Sequence, residues 1–144
     1  MYATTLSLFA GTIEKTTQWL DELTASIGDP DRRRAYSILL AVLHVLRDRL
    51  TVDEAVNLGA QLPVLIRGVY YEGWRPAGRP VKHRHKAQFL HLVAEAYPGL
   101  PATEIEPAVR AVFKLLSNHV SAGEIGHVRD QLPAEVRSLW ELAA

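Results

Sequence analysis

The chain has 144 residues, enough for one domain with a sizeable core. Sixteen Lys and Arg balance sixteen Asp and Glu, so no net field draws it towards nucleic acid or an anionic membrane. There is no cysteine, which excludes disulfides, thiolate metal sites and a cysteine nucleophile.

Residues 1–15 form an arm with a short apolar patch, Leu6–Ala10, and no basic residue before it, which argues against a secretory signal. No segment approaches the length of a membrane span, so a cytoplasmic protein is expected. Trp19, Leu20, Leu23 and Ile27 then mark an opening helix that ends at Gly28. Asp29-Pro30 predicts the N-cap and first position of a second helix. That helix carries Ala35, Ile38, Leu39, Leu40, Val42, Leu43, Val45, Leu46 and Leu50. It is apolar around most of its circumference and should be the buried centre of the unit. Thr51-Val-Asp-Glu54 has the form of a capping box, in which the hydroxyl takes one free amide and the glutamate reaches back for another. A short helix follows to Pro63, which starts a last helix burying Ile66, Val69 and Tyr70. A connector, 75–85, is rich in proline, glycine and basic residues.

The rest of the chain repeats this order. Phe89, Leu90, Val93 and Tyr97 predict an opening helix closed by Pro98-Gly99, and Thr103-Glu-Ile-Glu106 reads as a capping box with Pro107 in the first turn. Ser121-Ala-Gly-Glu124 and Pro133 mark the two closing helices, the last of which buries Val136, Leu139 and Trp140. A shift of seventy positions aligns the two halves without a gap. Ala41-Val42 then meets Ala111-Val112, Leu46 meets Leu116, Glu54 meets Glu124, Gln61-Leu62-Pro63 meets Gln131-Leu132-Pro133, and Arg67 meets Arg137. No stretch alternates as a strand does. The expected fold is all-α: two tandem helical units, 16–74 and 86–144, packed as one domain about a pseudo-twofold axis. Each unit alone is near the lower limit of independent stability, which argues against dividing the chain at the connector.

The runs Ala41-Val-Leu-His-Val-Leu-Arg-Asp-Arg-Leu50, Leu58-Gly-Ala-Gln-Leu-Pro63 and Ile66-Arg-Gly-Val-Tyr-Tyr-Glu-Gly-Trp74 resemble the bacterial family known as domain of unknown function 2267. Val120-Ser-Ala-Gly-Glu124 and Gln131-Leu-Pro133 resemble its second half. The resemblance runs from about Thr16 and implies a small helical cytosolic protein. It transfers no catalytic residue.

The connector is the one locally extreme stretch. Arg75, Arg79, Lys82, Arg84 and Lys86 gather there with Tyr71 and Trp74, and cations interleaved with aromatics suit phosphate neutralisation and base stacking. The competing reading is a solvated loop whose charges face acidic residues elsewhere. Tyr70 matches Trp140 and is expected in the core. His83-x-His85 lacks a third metal ligand and is flanked by cations, so both are read as surface histidines. His44 matches Lys114 and His119 matches Arg49, which predicts exposure for both; His91 and His127 form no dyad. Thr51–Gly68 imitates a helix-turn-helix, but its second helix has almost no polar side chain to read base edges. Arg67 and Arg137 are expected to bond free carbonyls before Pro63 and Pro133. No catalytic, cofactor or metal motif is present, so an enzyme is not indicated. Two functional readings fit. One is a non-enzymatic interaction module that self-associates, as in a homodimer, or docks on another protein. The other is a binder of an anion, such as a nucleotide or nucleic acid, through the connector.

Overall fold

The computed structural model describes residues 2–141, and among them it contains helices and no strand. The helices are α1 (Tyr2–Ile27), α2 (Arg32–Arg49), α3 (Val52–Ala60), α4 (Val64–Tyr71), α5 (Lys86–Ala96), α6 (Ala102–His119), α7 (Ala122–Gln131) and α8 (Ala134–Arg137), with a closing 3₁₀ turn, Ser138–Trp140. The apolar second helix of each unit takes the central place. α2 packs against α1, α4, α5 and α6, while α6 packs against α1, α2, α5, α7 and the closing turn. Leu39, Val42, Leu43, Leu46, Val112, Phe113, Leu115 and Leu116 are all buried in one cluster that draws on both units.

Sequence-equivalent positions occupy like settings. Thr51 and Ser121 are the N-caps of α3 and α7, and Pro63 and Pro133 are the N-caps of α4 and α8. Tyr70 and Trp140 both turn inward: Tyr70 donates its hydroxyl to the Ala55 carbonyl at 2.7 Å, and Trp140 stacks on Phe113 at 3.9 Å. The arm is not separate from the first unit, because residues 2–15 continue α1 without a break. Gly28 ends that helix at φ +71°, a conformation that favours glycine.

Several sequence expectations change at helix ends. α2 is capped by Asp31, which accepts from the Arg33 amide; Asp29 instead accepts from the Asp31 amide. α6 starts at Ala102, so Thr103 is no cap, Pro107 lies inside the helix, and Glu106 pairs with Lys86 and Arg110. His44 is half-buried, unlike exposed Lys114, and its Nε2 lies 2.6 Å from the Val69 carbonyl. Arg47 is 4% exposed and donates to the carbonyls of Tyr70 at 2.6 Å and Glu72 at 3.0 Å, closing the end of α4. Its seventy-shifted counterpart is Ser117, and in that half Arg110 serves the Ser138 and Glu141 carbonyls instead. Arg67 donates to the carbonyls of Gly59, Ala60 and Leu62, as expected for the break before Pro63.

Gly59 is required by close approach. A Cβ there would stand 2.3 Å from the Tyr71 hydroxyl and 2.7 Å from its ring, because Tyr71 lies across α3.

Leu46→Ala and Leu116→Ala should each cost about 2–5 kcal/mol, since both side chains are fully enclosed. His44→Ala should cost about 0.5–1.5 kcal/mol through its bond to Val69. Denaturant unfolding of the three variants checks the order: both leucines worse than the histidine, and the histidine distinguishable from wild type.

Candidate functional site

Two of the five connector cations are paired within the protein. Arg79 lies 3.4 Å from the Asp48 carboxylate, and Lys86 lies 3.1 Å from Glu106. His85 is exposed and its Nδ1 lies 2.8 Å from Glu135, whose carboxyl this contact and the Lys86 amide hold below the usual range. Arg75, Lys82 and Arg84 remain exposed without an ion pair. Trp74 and Tyr71 are half-buried with ring centres 5.4 Å apart, and both lean on the core rather than offering an open stacking face.

His83, read from sequence as a surface residue, is buried at 7% exposure and stands edge-on to Phe89 at 5.9 Å. Neither ring nitrogen has a partner, and its carbonyl accepts from Arg49. Burial, helped by the Arg49 charge, pushes its pKa down and keeps the ring neutral. A cleft of about 530 Å³ beside it is lined by His44, Arg47, Asp48, Glu72, Arg79 and Glu95 among others, a nearly balanced set of charges. The connector is tied to α2 through the His83 carbonyl and the Val81 amide, while Arg75, Lys82 and Arg84 face solvent.

A second group of chemistry-bearing residues assembles where α3 meets α7. In a capping box Glu54 would bond the Thr51 amide. Here Gln131, from the other unit, accepts from that amide at 3.0 Å, and Gln61 accepts from the Ser121 amide at 2.9 Å. The exchange is completed by Thr51 Oγ1 donating to Gln131 and by Gln61 Nε2 donating to Ser121 Oγ. The hydroxyls still cap, accepting from the amides of Glu54 and Glu124, but the two carboxylates are released from capping.

Both released carboxylates turn inward. Glu54 is 5% exposed and Glu124 6% exposed, and Glu54 Oε1 and Glu124 Oε2 have no hydrogen-bond partner. Asn57 Nδ2 reaches Glu54 Oε2 at 3.4 Å, and the Asn57 counterpart His127 brings Nδ1 to 3.7 Å from Glu124 Oε1. Oxygen atoms of both glutamates and a nitrogen of His127 lie within 4.8 Å of one another. Burial, and then the neighbouring Glu54 charge, raise the Glu124 carboxyl above its ordinary range. The capping-box composition alone assigns both glutamates to helix starts and leaves His127 without a partner. The available signal was Glu124-Ile-Gly-His127, whose i, i+3 spacing puts both side chains on one helix face.

Residues 16–139 match the family described as uncharacterized conserved protein, DUF2267. The chain belongs to this family. Its matched region contains α2 to α8, the connector and both inward glutamates, while residues 2–15 of α1 lie outside it. No curated protein matches the chain.

Stability of this family member should fall as pH drops through about 6.5, the ordinary histidine value. Burial depresses the pKa of both His83 and His44, so the unfolded chain takes up protons before the folded one does. The carboxylates held low by partners, Glu22, Glu106 and Glu135, lose their contribution only below their ordinary value of 4.5. The raised Glu124 carboxyl takes up its proton first in the folded state and opposes the histidine decline, so the His83 variant is what isolates the histidine part. Urea unfolding between pH 8 and 5 should show the decline, and His83→Leu should flatten it; an identical slope in the variant would exclude His83 as a source.

Proposed function

We propose that the protein is a non-enzymatic helical interaction module that pairs with a second copy of itself through the N-terminal half of α1. The observation that carries this reading is a single apolar stripe that is buried at one end and exposed at the other. Leu6, Phe9, Ile13, Thr16, Leu20, Leu23 and Ile27 follow one another at alternating separations of three and four, the spacing of a coiled-coil seam. Leu23 is buried and Leu20 and Ile27 are half-buried against the rest of the chain, whereas Leu6, Phe9 and Ile13 are 46%, 50% and 41% exposed. Where the stripe meets the body, Thr16, Leu20, Tyr36, Leu39, Leu65, Ile66 and Val69 line an apolar cleft of about 210 Å³. Tyr36 and Leu65 are themselves exposed, so the apolar surface extends from α1 onto α2 and α4.

A second copy suits this surface because residues 2–13 contain no charge with which to select a different partner. A stripe at heptad spacing is complementary to its own copy about a twofold axis, which gives a closed dimer. No helix among the described residues is long and apolar enough to cross a membrane.

We further infer that the two units within one chain are related by a twofold axis between α3 and α7. This is supported by the reciprocal bonds of Gln61 and Gln131, in which equivalent residues make equivalent contacts in both directions.

Sedimentation velocity across a wide concentration range should give a dimer for the wild type. Leu6→Glu with Phe9→Glu should give a folded monomer of unchanged helicity, because neither side chain belongs to the core. Its melting temperature should lose the concentration dependence that dimerisation gives the wild type. A wild type that is monomeric at every concentration overturns the proposal. So does a monomer that instead binds a different protein through these residues, which would assign the stripe to a heterologous partner.

A further inference from the structure

We propose that Glu54, Glu124 and His127 form a site for one divalent transition-metal cation at the junction of α3 and α7. The argument begins with two carboxylates at less than one-tenth exposure, each with an oxygen that no donor reaches. A buried carboxylate without compensation is costly, and a pair side by side is more so. Among the described residues, no Lys or Arg forms an ion pair with either carboxylate. The Asn57 amide reaches one oxygen of Glu54, and His127 is the one titratable donor set against Glu124. Neither bare oxygen is served by either group.

The donor set fits a metal of borderline softness. Carboxylate oxygens alone suit magnesium or calcium, whereas an imidazole nitrogen beside two carboxylates suits zinc, manganese, iron or cobalt. Bond lengths of about 2.0–2.2 Å to such an ion place neighbouring donors about 3–4 Å apart. The 3.7 Å between His127 Nδ1 and Glu124 Oε1 already lies in that range, and all three donors lie within 4.8 Å. The remaining closure falls to His127, whose side chain is 72% exposed and free to rotate inward. The same exposure gives the ion an entry path and leaves positions for water. Two carboxylates and a neutral imidazole carry the charge that one divalent ion balances.

The framework is prepared for this role. Gln61 and Gln131 take over the cap amides, so neither glutamate is needed to hold a helix start. Each unit supplies one carboxylate, so a bound ion would tie α3 to α7 and with them the two halves of the chain. The site draws on no residue of the α1 stripe and stands apart from self-pairing.

The test uses the full chain, stripped with chelator, titrated calorimetrically with ZnCl₂, MnCl₂ and MgCl₂, and followed in parallel by thermal melting. One equivalent of Zn²⁺ or Mn²⁺ should bind and raise the melting temperature, with Mg²⁺ binding much more weakly. His127→Ala should weaken binding at least about tenfold, and its exposed position leaves the fold intact. Glu54→Gln with Glu124→Gln removes both charges at constant shape and should abolish binding. His91→Ala should change nothing, which separates the site from a surface pair that His91 and Glu95 could offer. Absorption of the Co²⁺ form in the visible range should be lost in His127→Ala. Absence of stoichiometric binding overturns the proposal, as does binding that survives both the His127 and the double Gln changes, or that disappears with His91→Ala. In that event the two glutamates share a proton instead, and the double Gln variant should be as stable as the wild type or more so.

Discussion

Two central helices, each burying a broad apolar surface, dictate the arrangement of everything else. α2 offers Leu39, Val42, Leu43 and Leu46 to more than one direction at once, and α6 does the same with Val109, Val112, Phe113 and Leu116. Neither can leave that surface in water, so each is covered on several sides, while Lys114, Ser117 and Asn118 keep one face of α6 exposed. Packing them on one another covers only one side. α1 and α5 cover the others, α4 closes over α2, and the closing turn closes over α6. Some of the polar groups near this core finish helix ends, as Arg47 does for α4 and Arg110 for the closing turn.

The junction of α3 and α7 shows how a local rule yields to a longer-range contact. A capping box is satisfied within four residues, and both Thr51–Glu54 and Ser121–Glu124 have the composition for it. The glutamines from opposite units accept from the same amides, and a glutamate that is not needed for capping is left to find another setting. It finds one facing its own counterpart. Two carboxylates brought together under cover are electrostatically demanding, and the natural relief is an ion or a proton between them.

The connector illustrates the reverse. A basic, proline- and glycine-rich stretch has the composition of an open binding loop, yet part of it is spent on the protein itself, while Arg75, Lys82 and Arg84 stay exposed. Arg79 turns to Asp48, Lys86 to Glu106, and His85 to Glu135, while His83 goes inside against Phe89. The segment closes one side of α2 and leads into α5. Its backbone is tied down as well, since the Val81 amide donates to the Asp48 carbonyl.

The helical fold was legible because its signals are local or periodic. The apolar spacing of α2 and α6, the capping hydroxyls of Thr51 and Ser121, and the helix-starting prolines 63 and 133 act through their immediate neighbours, and each is found where its spacing placed it. Tyr70 was legible in the core because its partner in the other half, Trp140, is as large and as apolar. His44 was misplaced by the same device: exposed Lys114 is its partner, but a carbonyl of α4 came within reach of the histidine alone. Equivalence in sequence reports a shared backbone position, and it does not report which neighbour the second half of the fold brings to that position. The same reason hid His83 and the inward glutamates. Whether a polar side chain is solvated, capped or trapped beside a like charge depends on groups sixty or eighty residues away, and only the packed tertiary structure brings those groups together.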